Sequence, residues 1–527
     1  IVPSPITPSE PDGAPGDVGF AAPAGHGEEM ALHLLEMGLS SSIFGEELAW
    51  ALREDYGIAP GERVAIAMRN YPEFVMTLWA VLAIGAVAVP LNAWWQKDEL
   101  SFGLRDSGAR LLVADATRLE RLGDKATRQL PCVVVRGPAT NGAREFAVLF
   151  ERHAPEALPP CTIEPDDPAT LFYTSGTTGR PKGVLGTHRN LCSTIWTSLF
   201  GLKVAKVANG DPLSAPDDQK AVLITAPLFH VIACFSGVVV MTYLANKLVL
   251  MYKWDANTAA GLIERERVSS VTAVPTVISQ LCDIATRGQH RLSSLERVSI
   301  GGAPVPPALI ERTQRLFPGV MLGTGWGMTE TASPSTHLFG EAFINRPACV
   351  GPPSPVCDLR IVDEQSRALP AGRRGELWVR GPNVIARYWN NSQASAEAFV
   401  DGWLKTGDVG WLDDDGFLYL VDRLKDMIIR GGENIHCVEV ENAILAFNGV
   451  AECAVIGLPH PVLGEEVAAV LVTSTGESAD IDRLRAHLQS RLAYFKIPTR
   501  YRCTPLALPR NAAGKVLKSA LKDAFTD

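Results

Sequence analysis

The sequence lacks a long hydrophobic run. Its longest apolar stretch, residues 78–91, is interrupted by Gly85 and Pro90. That is short of the ~20 residues a membrane-spanning helix needs, so the stretch reads as a buried helix followed by a strand and no integral membrane segment is expected. No Lys or Arg precedes Arg53. A secretory signal needs a positive n-region, so no leader is predicted. Positive charge is not in excess either: 49 Lys and Arg stand against 58 Asp and Glu, a formal net charge of -9. This argues against a nucleic-acid partner, which calls for a basic footprint. An anionic substrate must therefore be met by a local positive site. The ten cysteines include no CxxC pair and no Cys/His cluster with metal-ligand spacing. They read as reduced, mostly buried thiols of a cytoplasmic protein. No repeat of solenoid period is present.

What is present is enough for a large core. The 527 residues are 46% hydrophobic and 20% charged, and domains of roughly 100–200 residues imply two to four folding units. Residues 1–28 are rich in Pro, Gly, Ala and Ser and read as a flexible lead-in. A helical pattern over 29–53 is broken near 38–42. From residue 62 short strands (64–68, 86–91, 109–114, 131–135) alternate with helices (72–84, 97–106). A second series has strands at 221–226, 247–251, 269–274 and 297–300 and a helix at 257–267. Such alternation predicts parallel α/β layers. A polar loop is expected over 203–220. Between 350 and 421 short strands dominate (359–362, 375–380, 416–421). The tail is mixed, with Ile481, Leu484, Leu488 and Leu492 on one helical face and a strand at 467–472. The expected fold class is α/β. A large N-terminal domain, 1–422, would hold two α/β subdomains and a small β-barrel-like one. A small α+β C-terminal domain, 423–527, would follow, and 1–45 remain a poorly assigned lead-in.

The densest chemistry lies in LFYTSGTTGRPKGVLGTHRN, residues 171–190. Thr174, Ser175, Thr177 and Thr178 surround Gly176 and Gly179, and Lys182 follows. Glycines let backbone N–H groups approach phosphate oxygens. Hydroxyls add donors and the lysine adds a point charge. The plain alternative is a polar turn between strand and helix. A Walker A loop is excluded, because GxxxxGK[ST] is not matched.

This segment resembles the phosphate-binding signature of the adenylate-forming superfamily: acyl-CoA synthetases, adenylation domains and luciferases. Four further segments match that family in order. They are GGAP at 301–304, GWGMTET at 325–331, KTGD at 405–408 with DRLKDMIIRGG at 422–432, and PRNAAGK at 509–515. The likeness runs from about residue 50 to the end.

The resemblance implies a role for each motif residue. Lys515 corresponds to the lysine that neutralises charge as carboxylate meets the α-phosphate. Glu330 corresponds to the Mg²⁺-binding acid, and one carboxylate plus phosphate oxygens suits that ion. Thr329 would contact the α-phosphate. Trp326 and Gly327 would lie by the adenine, with Gly302, Ala303 and Pro304 as the backbone wall. Asp408 and Arg423 would hold the ribose hydroxyls. Gly431 and Gly432 would line the pantetheine tunnel after the small domain rotates about Lys425. His230 and Val231, with Gly301 and Gly325, would border the acyl pocket. Taken alone, His230 reads equally well as a core histidine and Trp326 better as core packing.

The leading expectation is an AMP-forming acyl-CoA synthetase acting on a medium- or long-chain fatty acid. Its co-substrates would be ATP with Mg²⁺ and coenzyme A, and a homodimer is compatible. The alternatives are an aryl acid (cinnamate or benzoate type), an adenylation domain loading a carrier protein, and a non-catalytic acyl-binding protein.

Overall fold

The computed structural model describes residues 43–123, 129–139, 142–151, 157–174, 181–208, 210, 219–346, 348–424, 426–473, 479–511 and 514–525. These residues form four sheets. The first alternates strands and helices from Arg63–Ala67 onward. Helix Pro72–Ala83 begins on a proline, whose missing N–H costs nothing at a first-turn position. Helix Lys97–Ser107 is closed by Gln96 N–H donating to Glu99 Oε2 at 2.9 Å and by Gly108 at φ 60°. The central strands Pro168–Thr174, Val87–Pro90, Arg63–Ala67, Leu111–Asp115 and Cys132–Val135 pair in parallel. Lys182–Thr187 turns back antiparallel on Pro168–Thr174, and Tyr388–Trp389 adds an edge.

The second sheet follows the order Ser333–Phe339, Met321–Met328, Arg297–Ile300, Val268–Ala273, Ala221–Ile224, Lys247–Leu250. Only its first pair is antiparallel. One face packs a core that includes Leu223, Val271, Val298, Ile300, Leu322 and Leu338. The other face looks towards the long helix His188–Ala208, whose Gly201 abuts His337. That helix overruns the start of the polar loop expected from residue 203. Lys203 and Lys206 are good helix formers, and a basic last turn suits the helix dipole. Polarity alone did not end it.

The third sheet is antiparallel: Cys349–Gly351, Leu418–Arg423, Trp403–Leu412, Gly375–Arg380, Asp358–Val362. The fourth pairs Val450–His460 with Gly464–Thr473 and adds Arg500–Thr504 in parallel. Helix Ile481–Gln489, capped by Asp480, buries Leu484 and Leu488 on its core, while Leu492 lies beyond its last turn. The chain is thus a mixed α/β protein with a large N-terminal part and a smaller C-terminal one. All ten cysteines are free thiols. Among the described residues no helix is long and apolar enough to cross a membrane.

Candidate active site

Residues of the 325–331, 405–408 and 422–432 motifs are in direct contact. Asp408 sits on a strand beside Arg423 in register. Gly407 adopts φ 71°, a left-handed turn that glycine takes without a Cβ penalty. Thr406 Oγ1 receives the Asp408 N–H at 3.0 Å. The buried carboxylate then accepts from Trp326 Nε1 at 2.7 Å and faces Arg423 Nε at 2.9 Å. Three residues expected around the nucleoside are therefore one hydrogen-bonded unit. Each carboxylate oxygen keeps a lone pair for a diol.

Glu330 lies in a single turn, Thr329–Thr331, and is only 7% exposed. Burial pushes its carboxyl above the usual range. A hydrogen bond from Tyr388 and the charges of Arg423 and Lys515 pull it back. The Tyr388 hydroxyl donates to Glu330 Oε1 at 2.9 Å, and Lys182 Nζ stands 5.2 Å over the same ring. The turn ends on Ala332 at φ 50°, a left-handed strain of about 1 kcal/mol for a non-glycine residue. Thr194 Oγ1 donates to the Ala332 carbonyl and holds that turn against the long helix.

The sequence motifs assign no role to Tyr388, or to two asparagines that tie nearby backbone. Asn190 Nδ2 donates to the carbonyls of Pro382 and Val384. Asn383 Nδ2 donates to Thr331 O at 3.2 Å. The available signal was the aromatic pair Tyr388–Trp389 followed by two asparagines. Gly183 explains the close pairing, since a Cβ there would meet Trp389 Cβ at 2.9 Å.

Lys515 arrives from the C-terminal part on a tight loop. Asn511 Oδ1 receives its N–H at 3.0 Å, and Arg510 ties the loop to Glu452 at 2.5 Å. Gly514, at φ 79°, packs on Val274, where a Cβ would come within 3.1 Å. Gly302 packs on the other methyl of the same valine. The Lys515 charge is felt at both Glu330 and His230. Gly431 and Gly432 form the turn of a separate hairpin, both with positive φ, and Gly431 contacts Leu463 of its own unit. They are not brought to Lys515. Gly301 and Gly325 face one another, and Val231 is buried beside His230. Thr174 pairs with Lys182. Gly327 and Thr329 continue from Trp326, while Ala303 and the exposed Pro304 lie in the bend after strand Arg297–Ile300. Ser175, Gly176, Thr177, Thr178, Gly179 and Lys425 lie outside the described residues.

Residues 46–389 match the AMP-binding enzyme family and residues 439–515 its C-terminal domain. The chain belongs to the adenylate-forming superfamily. It is 38% identical to a feruloyl-CoA synthase of an Amycolatopsis species, over 89% of this chain and 90% of that protein. It is 32% identical to a long-chain-fatty-acid–CoA ligase of Mycobacterium tuberculosis, over 89% of each. An o-succinylbenzoate CoA synthetase of Bacillus subtilis, solved with its acyl-adenylate intermediate, superposes with a TM-score of 0.77 at 31% identity. That match covers 91% of this chain and 92% of the other. This superfamily member is an AMP-forming acid–thiol ligase with ATP and CoA as co-substrates.

Three buried histidines set an acid limit on the superfamily member's stability. Burial pushes His188, His230 and His337 down to about 4 from 6.5. Above pH 6.5 they are neutral folded or unfolded and add no pH dependence. Below it the unfolded chain takes up protons that the folded chain refuses, so stability falls as pH drops from 6.5 towards 4. Each histidine costs at most about 1.4 kcal/mol per unit in that window. Thermal midpoints from pH 7.5 to 4.5 should fall below 6.5, and His188→Gln should flatten the slope. A flat profile in the wild type would refute the assignment.

Proposed function

We propose that this chain activates an aryl carboxylic acid with ATP and passes the acyl group to coenzyme A. The observation that carries the choice of acid is the wall of the acyl side. Where the second sheet faces the long helix, one cross-strand row reads Thr272, Ser299, Gly323, Phe339. Thr272 and Ser299 are small and polar, and the Phe339 ring lies over Gly323; together they suit a flat ring better than a long alkyl chain. The likeness to a feruloyl-CoA synthase points the same way.

In the first step a carboxylate oxygen attacks the α-phosphorus and the bond to pyrophosphate breaks. Two anions must meet, so fixed cations lower the barrier. Lys515 supplies that charge on the acid side and Lys182 on the phosphate side. Asp408, oriented by Trp326 and Arg423, accepts the ribose hydroxyls. Glu330 fits a hard cation, because its desolvated carboxylate gains from a nearby positive charge and Tyr388 fixes its orientation. Mg²⁺ held there with phosphate oxygens would neutralise the triphosphate. His230 stays neutral and presents an unpartnered buried Nε2 towards the acyl side. In the second step the CoA sulfur attacks the acyl carbonyl and AMP leaves. Reaching Gly431 and Gly432 requires the unit after residue 422 to turn about Lys425.

A second reading, a fatty acid, is favoured by the likeness to a long-chain-fatty-acid–CoA ligase. A pyrophosphate-release screen over aryl and fatty acids, with and without CoA, separates the readings. The expected products are AMP, pyrophosphate and an aryl-CoA. Acid-dependent ADP and phosphate would overturn adenylation. Turnover only with fatty acids would overturn the aryl assignment. Product formed only on a carrier protein would overturn CoA as acceptor.

A further inference from the structure

We propose that Asp422 is a positioning residue: its bond to the Cys437 N–H holds the lysine-bearing C-terminal part in the posture that makes acyl-adenylate, and must open before the thioester step. The proposal rests on the acid-activation reading, in which Lys515 and the Gly431–Gly432 turn serve different steps. Asp422 and Arg423 are neighbours on strand Leu418–Arg423, so their side chains leave it on opposite faces. Arg423 reaches Asp408 at the nucleoside end. Asp422 reaches the other way, past the proposed pivot at Lys425, to helix Cys437–Leu445. Its Oδ1 accepts the Arg423 N–H at 2.8 Å, and its Oδ2 accepts the Cys437 N–H. Asp408 and Arg423 both precede Lys425, so rotation leaves their pair intact. Asp422 and Cys437 stand on either side of it, so rotation parts them.

The helix gains from that bond. Cys437 is its first residue, and the first N–H groups of a helix have no partner within it. His436 precedes it at φ -85° and ψ 117°, and its side chain makes no cap. A carboxylate from the third sheet therefore supplies the cap that the helix's own chain does not, and negative charge is favourable at that end. The seam is closed to water: Cys437 is fully buried and Asp422 is 9% exposed. His436 is buried there too, within range of the Arg374 charge from the turn before strand Gly375–Arg380. Lys518, paired with Glu441 at 2.8 Å, adds its charge from the C-terminal side. Burial pushes the Asp422 carboxyl up to about 6, against the pull of Lys518 and the two N–H donors. These opposed effects suit a latch. A charge-assisted hydrogen bond holds the posture, yet the carboxylate recovers its hydration when the C-terminal part turns away, so release is not prohibitive.

The test uses two substitutions that break the bond and one that keeps it. Cys437→Pro deletes the N–H at a first helical position, which proline tolerates, after a residue already extended. Asp422→Asn keeps the shape, but both carboxylate oxygens accept backbone N–H groups, so the amide must set a donor against one of them. Cys437→Ala drops only the thiol, whose bond to the Asp426 carbonyl lies wholly beyond the pivot. In the full-length enzyme, pyrophosphate release and thioester formation from synthetic acyl-adenylate and CoA are measured separately. Their ratio follows the ratio of the two postures. It should fall ~10-fold in Cys437→Pro and Asp422→Asn, the worth of one charge-assisted hydrogen bond, and stay within about threefold of wild type in Cys437→Ala. An unchanged ratio in both bond-breaking variants, even with equal losses in the two steps, overturns the latch and leaves acid activation standing. A fall as large in Cys437→Ala would move the effect to the thiol and overturn it too. If Cys437→Pro does not fold, Asp422→Asn decides. Should no acid release pyrophosphate, the acid-activation reading fails, and labelling of His436 by diethyl pyrocarbonate decides the latch. Modification ~10-fold faster than in wild type in the bond-breaking variants upholds it, and equal rates refute it.

Discussion

Lys515→Ala should lower acyl-adenylate formation by ~10²-fold or more, the usual cost of removing one fixed donor from a charged transition state. The loop that carries it is held by Asn511, by the Arg510–Glu452 pair and by Gly514 against Val274. Alanine should leave that scaffold standing. Only the first half-reaction joins two anions. The mutant, given synthetic acyl-adenylate and CoA, should therefore still make thioester at close to the wild-type rate. The two steps are measured separately, by pyrophosphate release and by thioester absorbance. Equal losses in both, in a protein with unchanged circular dichroism, would show that Lys515 has another role.

Glu330→Gln should be nearly as severe. The substitution keeps size and removes the charge that a divalent cation would use, at a position only 7% exposed. Adenylation should fall ~10²-fold, and half-saturation should need at least ~10-fold more Mg²⁺. Tyr388→Phe deletes only the hydroxyl that orients the carboxylate. It should raise the Mg²⁺ requirement by ~10-fold, with a smaller effect on rate at saturating metal. An unaltered Mg²⁺ dependence in Glu330→Gln would remove this carboxylate from the metal site.

The sequence was most informative where a motif names its own chemistry. Lys515, Glu330, Asp408 and Arg423 come from separate motifs that the resemblance to the superfamily grouped, and the structure brings the charges of Arg423 and Lys515 to Glu330. The strand-and-helix rhythm from residue 62 also read well, because parallel layers bury short apolar strands between amphipathic helices. What it missed were residues whose role depends on what comes to face them. Tyr388 is an ordinary aromatic until a two-residue edge strand lays it against Lys182 and Glu330. Asn190 and Asn383 have no motif value until a remote carbonyl needs a donor. The long helix outlasted its predicted end because exposed lysines favour helix as readily as loop.

Val274 has one methyl against Gly302 and another against Gly514. A single side chain is thus wedged between the lysine-bearing loop and the bend that holds Gly302. If the C-terminal part rotates as proposed, the size of Val274 would set how closely the loop can seat, independently of any group that touches the reacting atoms. Trimming it to alanine would shorten the dwell in the closed posture, and a bulkier residue would hold the loop ajar. On that proposal one aliphatic position would tune the tempo of the catalytic cycle, with every charged residue left in place.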